Sequence, residues 1–318
     1  MTGRLKDRSG FALVLTLVIT SLMVAVVVEM IHQVYVDVSL SRGFRDGQQA
    51  SILAESGVTG GARLLQRALS NRAYTSLSDK WAEPIKLDDE VGTVVITISE
   101  ESAKINLNDL VFDTGVYKDF IPDVLKRLGS RLQLPEDRWG ALADWIDSDE
   151  QPNSSGGVEN SYYRSLKPGY DARNGKLATL TELSLVKGFT VELVRSLQPF
   201  VTIWSWSESP SASPKININT APKEVLLALV EGMDERMAES IMERRRLTPF
   251  KNTGELSNVS GIDAAVAGRL GGSSSLLTVK GVLFRINAVA RVKDAARTVE
   301  AVVRLGGNAP EYLSWREY

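Results

Sequence analysis

Gly10-Phe11-Ala12-Leu13-Val14-Leu15-Thr16-Leu17 opens the stretch whose reading decides the fold, and Val26-Val27-Val28 closes it. From Phe11 to Val28, 18 residues pass without a charge, and Thr16, Thr20 and Ser21 are their only polar members. At about 1.5 Å per residue such a helix spans most of a hydrocarbon core of roughly 30 Å. Arg4, Lys6 and Arg8 precede it, against Asp7. Basic residues keep their end of an apolar span on the cytoplasmic side, so the rest of the chain is predicted to be exported. An ordinary secretory signal carries a small-x-small site after its apolar region. Here the small residue, Gly10, stands before it, and Glu29-Met30-Ile31-His32 follows.

The apolar run continues without proline into residues 32–70, where Leu53, Gly57, Gly60, Leu64, Leu65, Ala68 and Leu69 recur at helical spacing. A helix from Phe11 to Leu69 would be roughly 88 Å long. Gly43 and Gly47 weaken it, which predicts a kink or break between residues 41 and 47. Residues 32–70 are predicted to lay one face on a sheet. Strand signals are few. Residues 92–99 are β-branched; residues 282–292 and 296–305 are joined by a short Lys293-Asp294-Ala295 turn and read as a hairpin. Phe284, Ile286, Ala288, Ala290 and Val292 share one face of its first arm. The predicted fold is α+β: a long N-terminal helix on a small antiparallel sheet of one early and two late strands. A large, mostly helical insertion, residues 104–279, separates the strands.

That insertion is duplicated. Lys104-Ile105-Asn106-Leu107-Asn108 recurs as Lys215-Ile216-Asn217-Ile218-Asn219, and Glu182-Leu183-Ser184 with Gly188-Phe189 recurs as Glu255-Leu256-Ser257 with Gly261-Ile262. Phe200-Val201-Thr202-Ile203 echoes Leu276-Leu277-Thr278-Val279. Each Ile-Asn-x-Asn segment reads as the entrance to a helix, with Asn219-Thr220-Ala221-Pro222 as capping residues and an early proline. The resulting boundaries are 1–10 leader, 11–31 membrane helix, 32–103 spine and first strand, 104–203 first copy, 204–214 linker, 215–279 second copy, 280–305 hairpin and 306–318 tail.

The first copy holds an acidic loop. Residues 139–160 carry five carboxylates, Asp144, Asp147, Asp149, Glu150 and Glu159, and no cation appears until Arg164. Crowded carboxylates repel and want a counter-charge. Hard oxygen donors beside Asn153, Ser154, Gly156 and Gly157 suit calcium, with a solvated acidic loop as the other reading. The EF-hand spacing is not met, because Pro152 stands where its glycine belongs.

Composition removes other chemistry. The chain has no cysteine, which excludes thiolate catalysis and zinc–thiolate sites, and its one histidine, His32, adjoins the apolar run. No nucleophile–base pair is legible, so no enzymatic activity is expected. The net charge of −2 offers no global basic surface for nucleic acid.

A basic leader ending in Gly10, then Phe11 opening an apolar helix, resembles the signal of type IV pilins and pseudopilins. The resemblance implies that a prepilin peptidase cuts between Gly10 and Phe11 and methylates the new amine. Most members carry glutamate at the fifth mature position, where this chain has Leu15. Trp145-x-Asp147-x-Asp149, then Gly157-Val158-Glu159-Asn160-x-Tyr162-Tyr163, Lys167-Pro168-Gly169-Tyr170 and Thr181-Glu182-Leu183, together resemble the type II secretion K pseudopilin family. That resemblance implies calcium at Asp147, Asp149 and Glu159, with Asp144 and Glu150 as further candidates. It also implies a bacterial inner-membrane protein, single-pass, with its C-terminal domain in the periplasm, joining I- and J-type minor pseudopilins at the pseudopilus tip to export folded proteins. Residues 215–262 also resemble the helix-hairpin-helix module of membrane-anchored DNA-uptake receptors. The turns at Gly232-Met233-Asp234 and Gly261-Ile262-Asp263 put aspartate where that module has its second glycine. From Lys215 to Thr278, 8 cations meet 8 anions, so the charge term of DNA binding is missing and no nucleic acid is expected. Arg244-Arg245-Arg246 reads as a solvated helix face paired with Glu239 and Glu243. A minor pilin of a type IV pilus is the remaining alternative.

Overall fold

Residues 9–153, 156–206, 215–272 and 276–318 are described by a computed structural model; residues 1–8 of the predicted leader, Ser154 of the acidic loop and residues 207–214 of the predicted linker lie outside them. Helix α1 (Ser9–Leu69) comes first, followed by strands β1 (Ile85–Asp88) and β2 (Thr93–Glu100). The first insertion copy holds β3 (Ile105–Asn106), α2 (Ile121–Arg131), α3 (Asp137–Ile146), α4 (Asn160–Ser165), α5 (Val191–Leu197) and β4 (Val201–Thr202). The second holds β5 (Ile216–Asn217), α6 (Lys223–Leu229), α7 (Glu235–Leu247), α8 (Ala264–Gly272) and β6 (Leu277–Thr278). Strands β7 (Leu283–Val292), β8 (Ala295–Arg304) and β9 (Glu311–Glu317) complete the chain.

Helix α1 is unbroken over 61 residues, so the break predicted at residues 41–47 is absent. Its apolar N-terminal part is long enough to cross a membrane, and none of that window is buried in the chain. Packing begins at Asp46 rather than at residue 32. The buried stripe is Ala50, Ala54, Val58, Ala62, Leu65 and Leu69, whereas Leu64 faces solvent. Gly57 and Gly61 let the helix approach the sheet closely. A Cβ on Gly57 would lie 3.0 Å from Val94 and 3.1 Å from Ala288, and one on Gly61 would lie 3.2 Å from Ile96. This close packing offsets the helix propensity that glycine forfeits.

The sheet is antiparallel, in the order β1-β2-β7-β8-β9. Phe284, Ile286, Ala288, Ala290 and Val292 are buried on one face of β7, as their alternation predicts. The sheet has two strands more than expected, and β9 occupies most of the stretch read as a tail. Both β1 and β9 are edge strands with largely exposed side chains, so neither carries the alternating apolar signature of a half-buried strand. Arg304 fastens β9 by gripping Glu311 with Nε and Nη2, each at 2.8 Å.

The duplication is visible in the backbone. β3 pairs in parallel with β4, and β5 with β6, so each copy is closed by a two-residue ladder between its first and last strands. Asn108 donates to Leu177 O at 3.0 Å and Ile203 O at 2.9 Å and accepts from Leu177 N. Asn219 donates to Phe250 O at 2.9 Å and Val279 O at 3.3 Å and accepts from Phe250 N. Asn219 is therefore an internal cross-link and not the helix cap that was predicted; Pro222 stands at the cap position of α6. The copies share one hydrophobic core, and α1 and the sheet form another.

The insertion leaves the sheet at one end. Asp46, early in the packed half of α1, meets Lys293 in the β7–β8 turn at 2.9 Å. Further along the helix, Gly57 faces Val94 and Gly61 faces Ile96, so β2 runs in the direction of α1. Its last residue, Glu100, meets Thr75 just beyond the end of α1. Both copies thus grow from the end of the sheet remote from the apolar segment.

Candidate metal centre

The C-terminus of α3 and the N-terminus of α4 are brought together by an aromatic cluster. The rings of Trp145 and Tyr163 meet edge to face at 5.1 Å, and Tyr170 lies 5.5 Å from Tyr163. Glu182 accepts from Trp145 Nε1 at 3.0 Å and fixes the ring. The loop between these helix ends therefore folds back on itself. Asp147 follows the last residue of α3, and Glu159 precedes the first residue of α4.

Asp147, Asp149 and Glu159 each present a carboxylate oxygen, and these three atoms lie within 4.8 Å of one another. Asp147 is 0% exposed and Glu159 4%. All four carboxylate oxygens of that pair are buried without a hydrogen-bond partner. Burial, then the charges of Asp144 and Asp149, pushes Asp147 up to about 7. Burial, then Asp144, Asp147, Glu150 and Asp149, pushes Glu159 up to about 7. Orphaned buried oxygens of like charge are costly, and a hard divalent cation satisfies both the charge and the lone pairs. The donor set fits such an ion.

The other two sequence candidates are engaged elsewhere. Asp144 is fully buried and accepts from Asn153 N at 3.0 Å and Asn153 Nδ2 at 2.6 Å. Burial raises its affinity for a proton despite those bonds. Glu150 accepts from Asn160 Nδ2 at 2.6 Å. Both close the loop around the three clustered carboxylates.

A hairpin whose tip, Gly115, lies 32 positions upstream of Asp147 covers the cluster. Val111 and Tyr117 bridge, and Ser148 donates to Asp113 O from N at 3.1 Å and from Oγ at 2.7 Å. Gly115, at φ +74°, forms the tip; a Cβ there would lie 2.8 Å from Asp147 Oδ2 and 3.3 Å from Asp149 Oδ2. A turn-forming Thr114-Gly115 pair is the sole sequence signal, and it says nothing of a contact with residue 147.

The module that resembles a DNA reader is organised differently. Asp234 accepts from Met237 N at 2.8 Å and caps α7, and Asp263 accepts from Ala265 N at 2.8 Å. Each of the two aspartates thus bonds a backbone amide at the start of its own helix. Arg245 is buried and donates to Ile218 O at 2.7 Å and Ala221 O at 2.8 Å, so it is not on the solvated face that was predicted. Arg246 pairs with Glu243 as expected, whereas Glu239 pairs with Lys223. Gly10 and Phe11 stand at the exposed start of α1.

Family models described as "Type II secretion system (T2SS), protein K" match residues 103–205 and 216–280. The Type II secretion system protein K of Pseudomonas aeruginosa is 29% identical over 259 residues, spanning 78% of this chain and 75% of that protein. Its counterpart from Pectobacterium carotovorum subsp. carotovorum is 26% identical, spanning 97% and 96%. The fold matches a chain in the crystal structure of the GspK-GspI-GspJ complex from the enterotoxigenic Escherichia coli Type 2 Secretion System. The TM-score is 0.71 at 22% identity, over 87% of this chain and 99% of that one. With a long N-terminal helix on an antiparallel sheet and both family segments filling the helical insertion, this chain belongs to the type II secretion system protein K family, the K-type minor pseudopilins.

Proposed function

We propose that the chain stands at the tip of a periplasmic pseudopilus, where it joins I- and J-type minor pseudopilins and takes part in the export of folded proteins. One observation carries this reading: both insertion copies grow from the end of the sheet remote from the apolar half of α1. A body of that size at the far pole blocks the addition of a further subunit beyond it and crowds a filament wall. Leu15 agrees, since a subunit with no neighbour above it has no amine to pair, and an unpaired buried carboxylate is costly. The apolar part of α1 is held in the inner membrane after a prepilin peptidase cuts at Gly10 and methylates Phe11, and it later packs on neighbouring helices.

Calcium at Asp147, Asp149 and Glu159 completes the reading. The ion supplies positive charge, no reaction chemistry; it ties the end of α3 to the start of α4 and fixes the acidic loop. Co-purification from detergent with I- and J-type pseudopilins tests the assembly role. A stable ternary complex is the expected result, and elution of this chain alone at micromolar concentrations contradicts it.

A further inference from the structure

The face of the sheet opposite α1 is polar, and the end of the first insertion copy overhangs it. Between them lies a cleft of about 340 Å³. Arg285 on β7, Glu300 on β8 and Arg316 on β9 form its floor, and Arg195 and Gln198 on α5 stand in its wall. The volume is near the lower end for a binding pocket, about 300 Å³, which suits a few residues of extended chain and no folded domain.

The charges in the cleft do not cancel. Glu101 is occupied by Lys104 Nζ at 2.9 Å, Arg285 Nε at 2.9 Å and Thr202 Oγ1 at 2.6 Å. Glu300 is occupied by Arg285 Nη1 at 2.5 Å. Arg316 is half-buried and stands opposite Glu300 in the β8–β9 register, yet among the described residues its side chain has no ion pair or hydrogen bond. Arg195 is exposed across the cleft, near Glu192 of its own helix, whose carboxyl is held low by hydrogen bonds to its backbone and Thr190 and then by Arg195. A partly desolvated guanidinium without a partner favours an anion, and its planar fork matches a carboxylate. Arg316 meets that description; Arg195 adds an exposed positive charge across from it, and the two are too few for a phosphate backbone. Ser314, also on the floor, and Gln198 can bond a peptide main chain. β9 is the last strand of the sheet, so its outer edge is open beside the cleft.

We propose that this cleft receives an acidic, extended segment of a partner protein, whose carboxylates are taken by Arg316 and Arg195. The inference depends neither on the tip position nor on calcium. It is tested on the full chain in detergent by fluorescence anisotropy, with a labelled hexapeptide of alternating valine and glutamate and its valine–glutamine counterpart as probes. The glutamate peptide binds and the glutamine peptide does not. Arg316→Gln and Arg195→Gln each weaken binding roughly tenfold, the factor of one lost charge-assisted contact. Both variants keep the parental melting temperature, and Arg246→Gln, remote and paired with Glu243, leaves binding unchanged. Equal binding of the two peptides, no binding at millimolar concentration, or indifference to both arginine variants overturns the proposal. Competition by free glutarate as effective as unlabelled peptide overturns the peptide assignment.

Discussion

Asn217 Nδ2 donates to Glu100 Oε1 at 2.8 Å, tying the end of β2 to the second insertion copy across 117 positions of sequence. Thr75 Oγ1 completes the cluster, donating to Glu100 Oε2 at 3.0 Å and accepting from Asn217 Nδ2 at 2.6 Å and Gly281 N at 2.9 Å. The neighbouring residue, Glu101, does the same for the first copy through Thr202. Two consecutive carboxylates thus fasten the two copies to the sheet, by opposite electrostatics. Burial pushes Glu101 up, but Lys104 and Arg285 outweigh it and hold the group below the usual range. Burial, against the bonds of Asn217 and Thr75, pushes Glu100 up to about 7.

The first prediction follows from the sign of that shift. Below pH 4.5 Glu100 is protonated in both folded and unfolded chains and costs nothing. As pH rises from 4.5 through 7 the unfolded carboxyl ionises first, and stability falls. Glu100→Gln keeps the neutral form at every pH. Relative to it, the parental chain should lose on the order of 3 kcal/mol over this range. Urea midpoints in calcium-saturated buffer measure the difference; parallel pH profiles would contradict it.

Asn108 and Asn219 should be equivalent in energy because they are equivalent in geometry. Each loses three bonds on replacement by alanine and leaves a buried backbone N–H unpaired. The expected cost is about 2–4 kcal/mol for either. Asn→Asp should be no better, since a carboxylate cannot donate to the two carbonyls. Denaturant unfolding of the four single variants checks this.

Adjacent arginines should behave oppositely. Arg245→Ala removes a buried donor from Ile218 O and Ala221 O and should cost about 2–4 kcal/mol. Arg246→Ala breaks only an exposed pair with Glu243 and should stay within about 0.5 kcal/mol. A gel shift at low salt should show no salt-sensitive DNA binding by the parental chain.

Calcium should raise the melting temperature, and a chelator should reverse the rise. An ion at a hundred times its dissociation constant contributes about 2.7 kcal/mol. Its affinity should fall as pH falls through 7, because protons compete for Asp147 and Glu159. Asp147→Asn should abolish the response while stabilising the calcium-free chain at neutral pH, since it removes a buried charge. Gly115→Ala should weaken the response, because its Cβ would press on Asp147 Oδ2 in a backbone conformation that disfavours side chains. Calorimetry with and without chelator reads all three.

Much of this architecture is legible in sequence. The apolar run, the β7 alternation and the repeated Ile-Asn-x-Asn are local patterns set by periodicity; the crowded acidic loop left calcium and a solvated loop both open, and only the family resemblance singled out Asp147, Asp149 and Glu159. What escaped was whatever depends on a distant partner. The edge strands β1 and β9 bury too little to alternate. Arg245 looks like its neighbours until the α7 face is known, and Asn219 looks like a cap until Phe250 and Val279 arrive. The hairpin at Gly115 touches the acidic cluster only because α3 delivers Asp147 beneath it.

The most direct test of the central claim is the position of this chain on the assembled pseudopilus, read by cryo-electron microscopy with a label on α7. The account predicts one label per filament, at the end remote from the membrane. Labels repeating along the wall would contradict it.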